Sequence, residues 1–104
     1  MSLFTVMVTV PSKAIGLTIA RKVVNDGLVA CVNIIPNITS VYKWEGKVEE
    51  SEEFLLVMKT SEPRLISLEE EVKKLHPYDV PEFIASRVDH VSDAYGKWAL
   101  EQTS

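Results

Sequence analysis

Hydrophobic positions along the chain fall into runs typical of strands and runs with a helical repeat. Positions 3–10 are rich in β-branched and aromatic residues, which predicts a strand buried on both faces because the alternation is weak. The next segment predicts a helix of about fifteen residues, with Ser12 as its N-cap and Gly27 as its left-handed stop. The apolar positions of this helix recur every four residues, at Ile15, Ile19 and Val23.

Two further apolar runs predict a long β-hairpin. Residues 28–44 supply the first strand, with a bulge or sharp bend at Pro36-Asn37, because proline cannot continue a central ladder. A tight turn at residues 45–47 leads into the second strand, over residues 48–58. The acidic run at residues 49–53 is expected to face solvent.

The C-terminal half predicts a helix, a strand and a second helix. Residues 61–63 are a helix-start signature with proline in the first turn, and His76-Pro77 ends that helix. One face of this helix is apolar, at Leu65, Leu68, Val72 and Leu75. Residues 83–88 predict the fourth strand, and Ser92 or Asp93 begins a short final helix.

The element order is therefore β-α-β-β-α-β plus a C-terminal helix, in one domain over residues 1–104. This order predicts an α+β fold of the ferredoxin-like type, in which two helices cover one face of a four-stranded antiparallel sheet. The other face and the long hairpin edge would be uncovered in a monomer. We therefore expect an oligomer that buries them.

Composition narrows the class of protein. A formal net charge of −4 and a pI near 5.1 argue against nucleic acid or an anionic membrane as the main partner, since both need a basic surface. A single cysteine excludes a disulfide scaffold. No apolar run approaches the roughly 18 residues of a membrane span, and the N-terminus has no signal-peptide pattern. A soluble intracellular protein without membrane insertion is expected.

His76 is the first candidate for chemistry, because the chain has no glycine-rich phosphate loop, paired metal-ligand spacing or nucleophile arrangement. It would act as a metal ligand or general acid/base, or as a histidine that caps the carbonyls of its own helix; the second interpretation is the commoner one. Asp79 and Glu82 would complete an oxygen and nitrogen metal site, or would simply be solvated loop carboxylates.

Cys31, Tyr42 and Trp44 are the next candidates. Cys31 lies in an apolar strand, where a free cysteine usually acts as a small hydrophobic residue and a reactive thiolate needs a stabilising neighbour. Tyr42 and Trp44 are two residues apart on a strand and so share a face. They would line a pocket, form a subunit contact or cover the core.

Four segments of the chain closely resemble the CutA divalent-cation tolerance family, and Tyr95 and Trp98 match its final aromatic pair. The segments are residues 28–36, 38–47, 59–60 and 75–82. The resemblance implies a homotrimer, similar in architecture to PII signalling proteins. It also implies a link to copper and other divalent cations, a cytoplasmic location and no established catalytic reaction.

The resemblance also implies where a metal ion would bind. Metal-binding members place a cysteine at the end of the first strand and two adjacent histidines before the Pro-Tyr pair. Here Val8 and Leu75 occupy two of those positions, and only His76 remains. We therefore expect copper(II) or another divalent cation, if bound, to use His76 with Glu82 or a donor from another subunit.

An alternative function uses the same residues as a pocket between subunits. The chain would then be a PII-like signalling or scaffold trimer that binds a small ligand or a protein partner. The candidate ligand-binding residues are Cys31, Tyr42, Trp44, Lys59 and Tyr78. An enzymatic function ranks last, because no nucleophile has an evident partner.

Overall fold

One antiparallel sheet with the strand order β2-β3-β1-β4 forms the centre of the computed structural model, which describes residues 1–104. Its elements are β1 (Leu3–Val10), α1 (Lys13–Asn25), β2 (Cys31–Trp44), β3 (Lys47–Ser61), α2 (Leu65–Leu75), β4 (Ile84–Arg87) and α3 (Asp93–Gln102). A single 3₁₀ turn, Glu62–Arg64, precedes α2. The predicted α+β element order and the four-stranded antiparallel sheet are confirmed.

The helix α1 begins and ends where the sequence predicts. The side chain of Ser12 accepts a hydrogen bond from the Ile15 N–H at 3.2 Å, which satisfies one of the free amides of the first turn. Gly27 follows the helix with φ at +70°, a conformation that glycine adopts without steric cost. Gly16 lies against β1 and β3, where an added Cβ would meet Val10 and Leu56 at 3.3 Å. The helix therefore packs unusually close to the sheet.

The core lies on one face of the sheet only. Val6, Val8 and Val10 of β1 are fully buried under the helices, whereas Met7 between them is 37% exposed. For the protomer, the prediction that residues 3–10 are buried on both faces was wrong, because α1 and α2 both pack on the same side. Met7 therefore belongs to an uncovered sheet face.

The hairpin of β2 and β3 is confirmed, with two local features at the predicted positions. Glu45 and Gly46 both have positive φ, as a two-residue turn between twisted strands requires. The register shifts between Ile35 and Ile38, and Asn37 has φ at +61°. The strand β2 begins at Cys31 and not at residue 28, because Leu28 is still bonded to the α1 terminus through Val23.

The hairpin extends beyond the helices. Its strands have 14 and 15 residues, against 8 in β1 and 4 in β4, and every residue from 41 to 50 is exposed. The outer edge of β2 pairs with no other strand of the protomer. None of the three α-helices combines the length and apolar content needed to cross a membrane.

Candidate functional site

The loop after α2 lies across the end of β1 and is anchored there by His76. The helix stops at Leu75, and the His76 N–H still donates to the Val72 carbonyl. The His76 ring then bonds outside its own helix: Nε2 donates to the Thr9 carbonyl at 2.8 Å, and Nδ1 accepts from the Tyr78 N–H at 3.1 Å. This pair of bonds requires the neutral Nε2–H tautomer, because an N–H can only donate.

His76 consequently has a structural role in this conformation. Its residue surface is 8% exposed, and its ring packs against the Tyr78 ring with centroids 4.7 Å apart. Both ring nitrogens are already bonded, so a metal ion would have to displace one of these bonds. The prediction that His76 binds a metal ion stays a prediction. The alternative that its side chain caps its own helix was wrong, since the carbonyl that it contacts belongs to β1.

Tyr78 packs over the buried carboxylate of Glu53, which lies on the sheet face opposite the helices. Its hydroxyl donates to Oε2 of Glu53 at 2.8 Å, and Glu53 is only 6% exposed. The expectation that the whole acidic run faces solvent was therefore wrong for Glu53, because the loop folds over β3 at that residue. Burial and then the bond to Glu53 raise the pKa of the Tyr78 phenol to about 12.

Glu53 has no basic partner within the protomer. None of the four ion pairs of the protomer includes it, and its Oε1 atom accepts no hydrogen bond from the protein. The nearby carboxyl of Glu82 has a raised pKa, first because it is partly buried and second because Glu53 repels its charge. The two carboxyl groups therefore lie close enough to interact.

Two aromatic side chains of β2, Tyr42 and Trp44, line a cavity opposite the loop, and we call them the aromatic wall. Ser40, Tyr42 and Trp44 alternate along β2 on the face that Glu53 shares, as the register of β2 and β3 shows. Tyr42 is 43% and Trp44 46% exposed, which is high for side chains of this size. The Ser51 hydroxyl lies 3.4 Å from the Tyr42 hydroxyl and donates to it.

The loop and the hairpin enclose a cavity of about 760 Å³, which we call the acidic cleft. Its lining contains three carboxylates and three aromatic side chains, and no lysine, arginine or histidine. It is lined by Thr9, Ser40, Val41, Tyr42, Trp44, Glu53 and residues 77–82. The structure thus brings together five of the predicted site residues: Tyr42, Trp44, Tyr78, Asp79 and Glu82.

Cys31 and Lys59 lie elsewhere in the protomer. They face each other across β2 and β3, six residues along β3 from Glu53, which corresponds to about 20 Å at the usual strand rise. Lys59 Nζ donates to the Asn33 side chain. Cys31 Sγ lies 3.3 Å from the Tyr95 hydroxyl, and this contact, followed by burial, raises the pKa of Tyr95 to about 12. A neighbouring subunit would be needed to bring either residue to an acidic cleft.

The protomer contains no group of three His, Cys, Asp or Glu side chains arranged to hold a metal ion. Val8, the residue that the resemblance places where metal-binding members have a cysteine, is fully buried in the core. Glu53 is the site residue that the sequence analysis missed. The strand period of two was the available signal, because it places Glu53 on the same face as the aromatic wall.

Comparison with known proteins identifies the family. A family model described as "CutA1 divalent ion tolerance protein" matches residues 4–102. The chain belongs to this family. It is 45% identical over 98 residues to a divalent-cation tolerance protein CutA of Thermus thermophilus, covering 94% of this chain and 95% of that protein. The crystal structure of CutA1 from Oryza sativa superimposes with a TM-score of 0.97 at 44% identity, covering 100% of this chain and 95% of that one.

The eukaryotic relatives are longer. The chain is 47% identical over 98 residues to the chloroplastic CutA protein of Arabidopsis thaliana, which covers 94% of this chain but 54% of that protein. The chain therefore spans about half of that relative's length. The similarity supports the general role in divalent cation tolerance that the family description names.

Proposed function

We propose that the chain acts in divalent cation tolerance as a homotrimer that binds cations in the acidic cleft. One observation carries the proposal: the cleft contains a carboxylate, Glu53, that is buried without a basic partner beside a second carboxylate, Glu82. Burying an unpaired charge is costly, so a bound cation would relieve the cost.

Carboxylate oxygens of Glu53 and Glu82 are the proposed ligands, and Asp79 lines the same cleft without being counted among them. Copper(II) is the proposed cation because a given set of protein ligands binds it most tightly among the divalent first-row metals. His76 positions the loop in this scheme and supplies no ligand. Fewer than three protein ligands per protomer would leave positions for water or for a donor from a neighbouring subunit.

The trimer is supported by the surfaces that the protomer leaves uncovered. The outer edge of β2 is unpaired over 14 residues, and Met7, Ile35 and Ile84 expose apolar surface on the sheet face opposite the helices. Such an edge pairs readily with another chain. Light scattering at micromolar concentration should give three times the 11.7 kDa protomer mass; a monomer would contradict the proposal.

The proposed role is non-enzymatic and cytoplasmic, with no nucleic acid partner. The net charge of −4 supports the last point, since nucleic acid attracts basic surfaces.

Calorimetric titration of the metal-free protein with copper(II) tests the proposal. We expect saturable binding that Glu82→Gln weakens at least about tenfold, because a charged ligand is lost. Glu50→Gln removes the same charge from the exposed, opposite face of β3 and should leave binding unchanged. Loss of binding in His76→Ala but not in Glu82→Gln would show instead that the imidazole is the ligand.

A second candidate is the PII-like signalling or scaffold trimer that binds a small ligand or protein between subunits. The exposed pair Tyr42 and Trp44 favours it, because aromatic side chains at a cleft are typical of ligand sites. In this case Trp44→Ala should abolish ligand or partner binding and leave the trimer intact. Dissociation of the trimer would show that Trp44 is structural.

A further inference from the structure

The acidic cleft has two properties that a site for a bare metal ion does not need. Its volume of about 760 Å³ is within the range of small-molecule pockets, and far exceeds that of one hydrated ion. Its wall includes the exposed aromatic rings of Tyr42 and Trp44, and the faces of these rings do not coordinate a metal ion. Both features suit an organic ligand that has apolar surface as well as a charged group.

The sign of that charge follows from Glu53. This side chain is more than nine-tenths buried, lines the cleft, and has one carboxylate oxygen without any protein donor. The only protein group that bonds it is the neutral hydroxyl of Tyr78. No basic side chain lines the cleft, so the protomer itself does not neutralise the carboxylate. An anionic ligand would be repelled there.

We infer that the acidic cleft binds a small organic cation, an ammonium or guanidinium compound with an apolar body. Its charged head would donate hydrogen bonds to Glu53 and Glu82, and its body would lie against Trp44 and Tyr42. Aromatic faces attract such cations as well as covering their apolar part. A guanidinium fits especially well, since it is planar, bonds carboxylates in pairs and stacks on aromatic rings. The inference uses the cleft of the proposed function but not a metal ion.

Two probes of equal shape separate charge recognition from hydrophobic binding. n-Butylguanidinium and its neutral isostere n-butylurea would be titrated by calorimetry into the metal-free, full-length protein in its native assembly. We expect butylguanidinium to bind at least about tenfold more tightly than butylurea, because charge-assisted hydrogen bonds to a buried carboxylate are strong. Glu53→Gln should remove most of that difference, and Trp44→Ala should weaken binding a few-fold.

Matched variants keep the result interpretable. Glu50→Gln removes the same charge from the same strand on its exposed opposite face, and should bind both probes like the unmodified protein. If Glu53→Gln does not fold, Glu82→Gln serves in its place, since Glu82 lies in the loop and outside the core.

Several outcomes would overturn the inference. Equal affinity for the two probes would show that the cleft does not recognise charge. Copper binding that depends on Glu82, without any butylguanidinium binding, would refute the organic cation and leave the proposed metal role standing; absence of both would refute both. Butylguanidinium binding that appears only in Lys59→Gln would show that a lysine of a neighbouring copy already neutralises the carboxylates.

Discussion

Replacing His76 with alanine tests whether this residue holds the cleft together. The substitution removes a donor to the Thr9 carbonyl and an acceptor for the Tyr78 N–H, at a position that is 8% exposed. Each partner left without a bond costs about 1–3 kcal/mol when buried, and the lost ring contact with Tyr78 about 0.5–1.5 kcal/mol. Water can reach part of the space that the ring leaves, so we expect a total loss of about 2–4 kcal/mol.

Equilibrium unfolding in urea measures this loss, at one fixed protein concentration because assembly would make stability concentration-dependent. His76→Gln offers an amide N–H to Thr9 but no acceptor placed like Nδ1, so it should lose about half as much as His76→Ala. Lys73→Ala, on the exposed side of α2, should stay within about 0.5 kcal/mol of the unmodified protein.

The result that refutes this reasoning is a His76→Ala protein as stable as the Lys73→Ala control. The two hydrogen bonds of His76 would then contribute nothing to the stability of the fold. The alternative role of His76 as a metal ligand would be favoured instead. A stability loss together with unchanged copper affinity would show that His76 stabilises the fold but is neither a metal ligand nor needed to position the ligands of the cleft.

Two further predictions concern the Tyr78 contact and the helix–sheet packing. Tyr78→Phe removes the hydroxyl that bonds Glu53 and should lower the free energy of unfolding by about 1–2 kcal/mol in urea. The raised pKa of Tyr78, about 12 in the folded protein, means that this phenol stabilises the fold fully below its ordinary pKa near 10 and loses that contribution as the pH rises to about 12. The difference in free energy of unfolding between the unmodified protein and Tyr78→Phe should therefore be smaller at pH 11.5 than at pH 9. An equal difference at the two pH values would contradict this. Gly16→Val should lower the melting temperature by an amount equivalent to about 1–3 kcal/mol of stability. The added Cβ would meet Val10 and Leu56 at 3.3 Å, and the methyl groups of valine would come closer still. An unchanged melting temperature would show that the helix can move away from the sheet.

Much of the fold could be predicted because the signals that specify it are local. The cap at Ser12, the glycine stop at Gly27 and the turn at Glu45-Gly46 each depend on residues within a few positions. The bend after Ile35 could be predicted in the same way, from a proline that cannot donate to a ladder. Element order then restricts the topology to very few arrangements.

The acidic cleft could not be predicted in this way, because its parts meet only through long-range packing. Glu50 and Glu53 belong to one acidic run, yet Glu50 is exposed and Glu53 is buried by Tyr78, 25 residues further along the chain. His76 was identified as a candidate, but its partner Thr9 is 67 residues away, and that bond decides where the loop lies.

The sequence by itself thus determined the helices and strands, the family and most of the candidate site residues. The tertiary structure alone decided which of them share a site: Tyr42, Trp44, Tyr78 and Glu82 meet at the cleft, while Cys31 and Lys59 lie about 20 Å along β3 from Glu53. The physical reason is that helix and turn signals act over one or two turns of chain. The burial of Glu53, and the absence of a basic partner beside it, depend instead on which distant segment of the chain packs over β3.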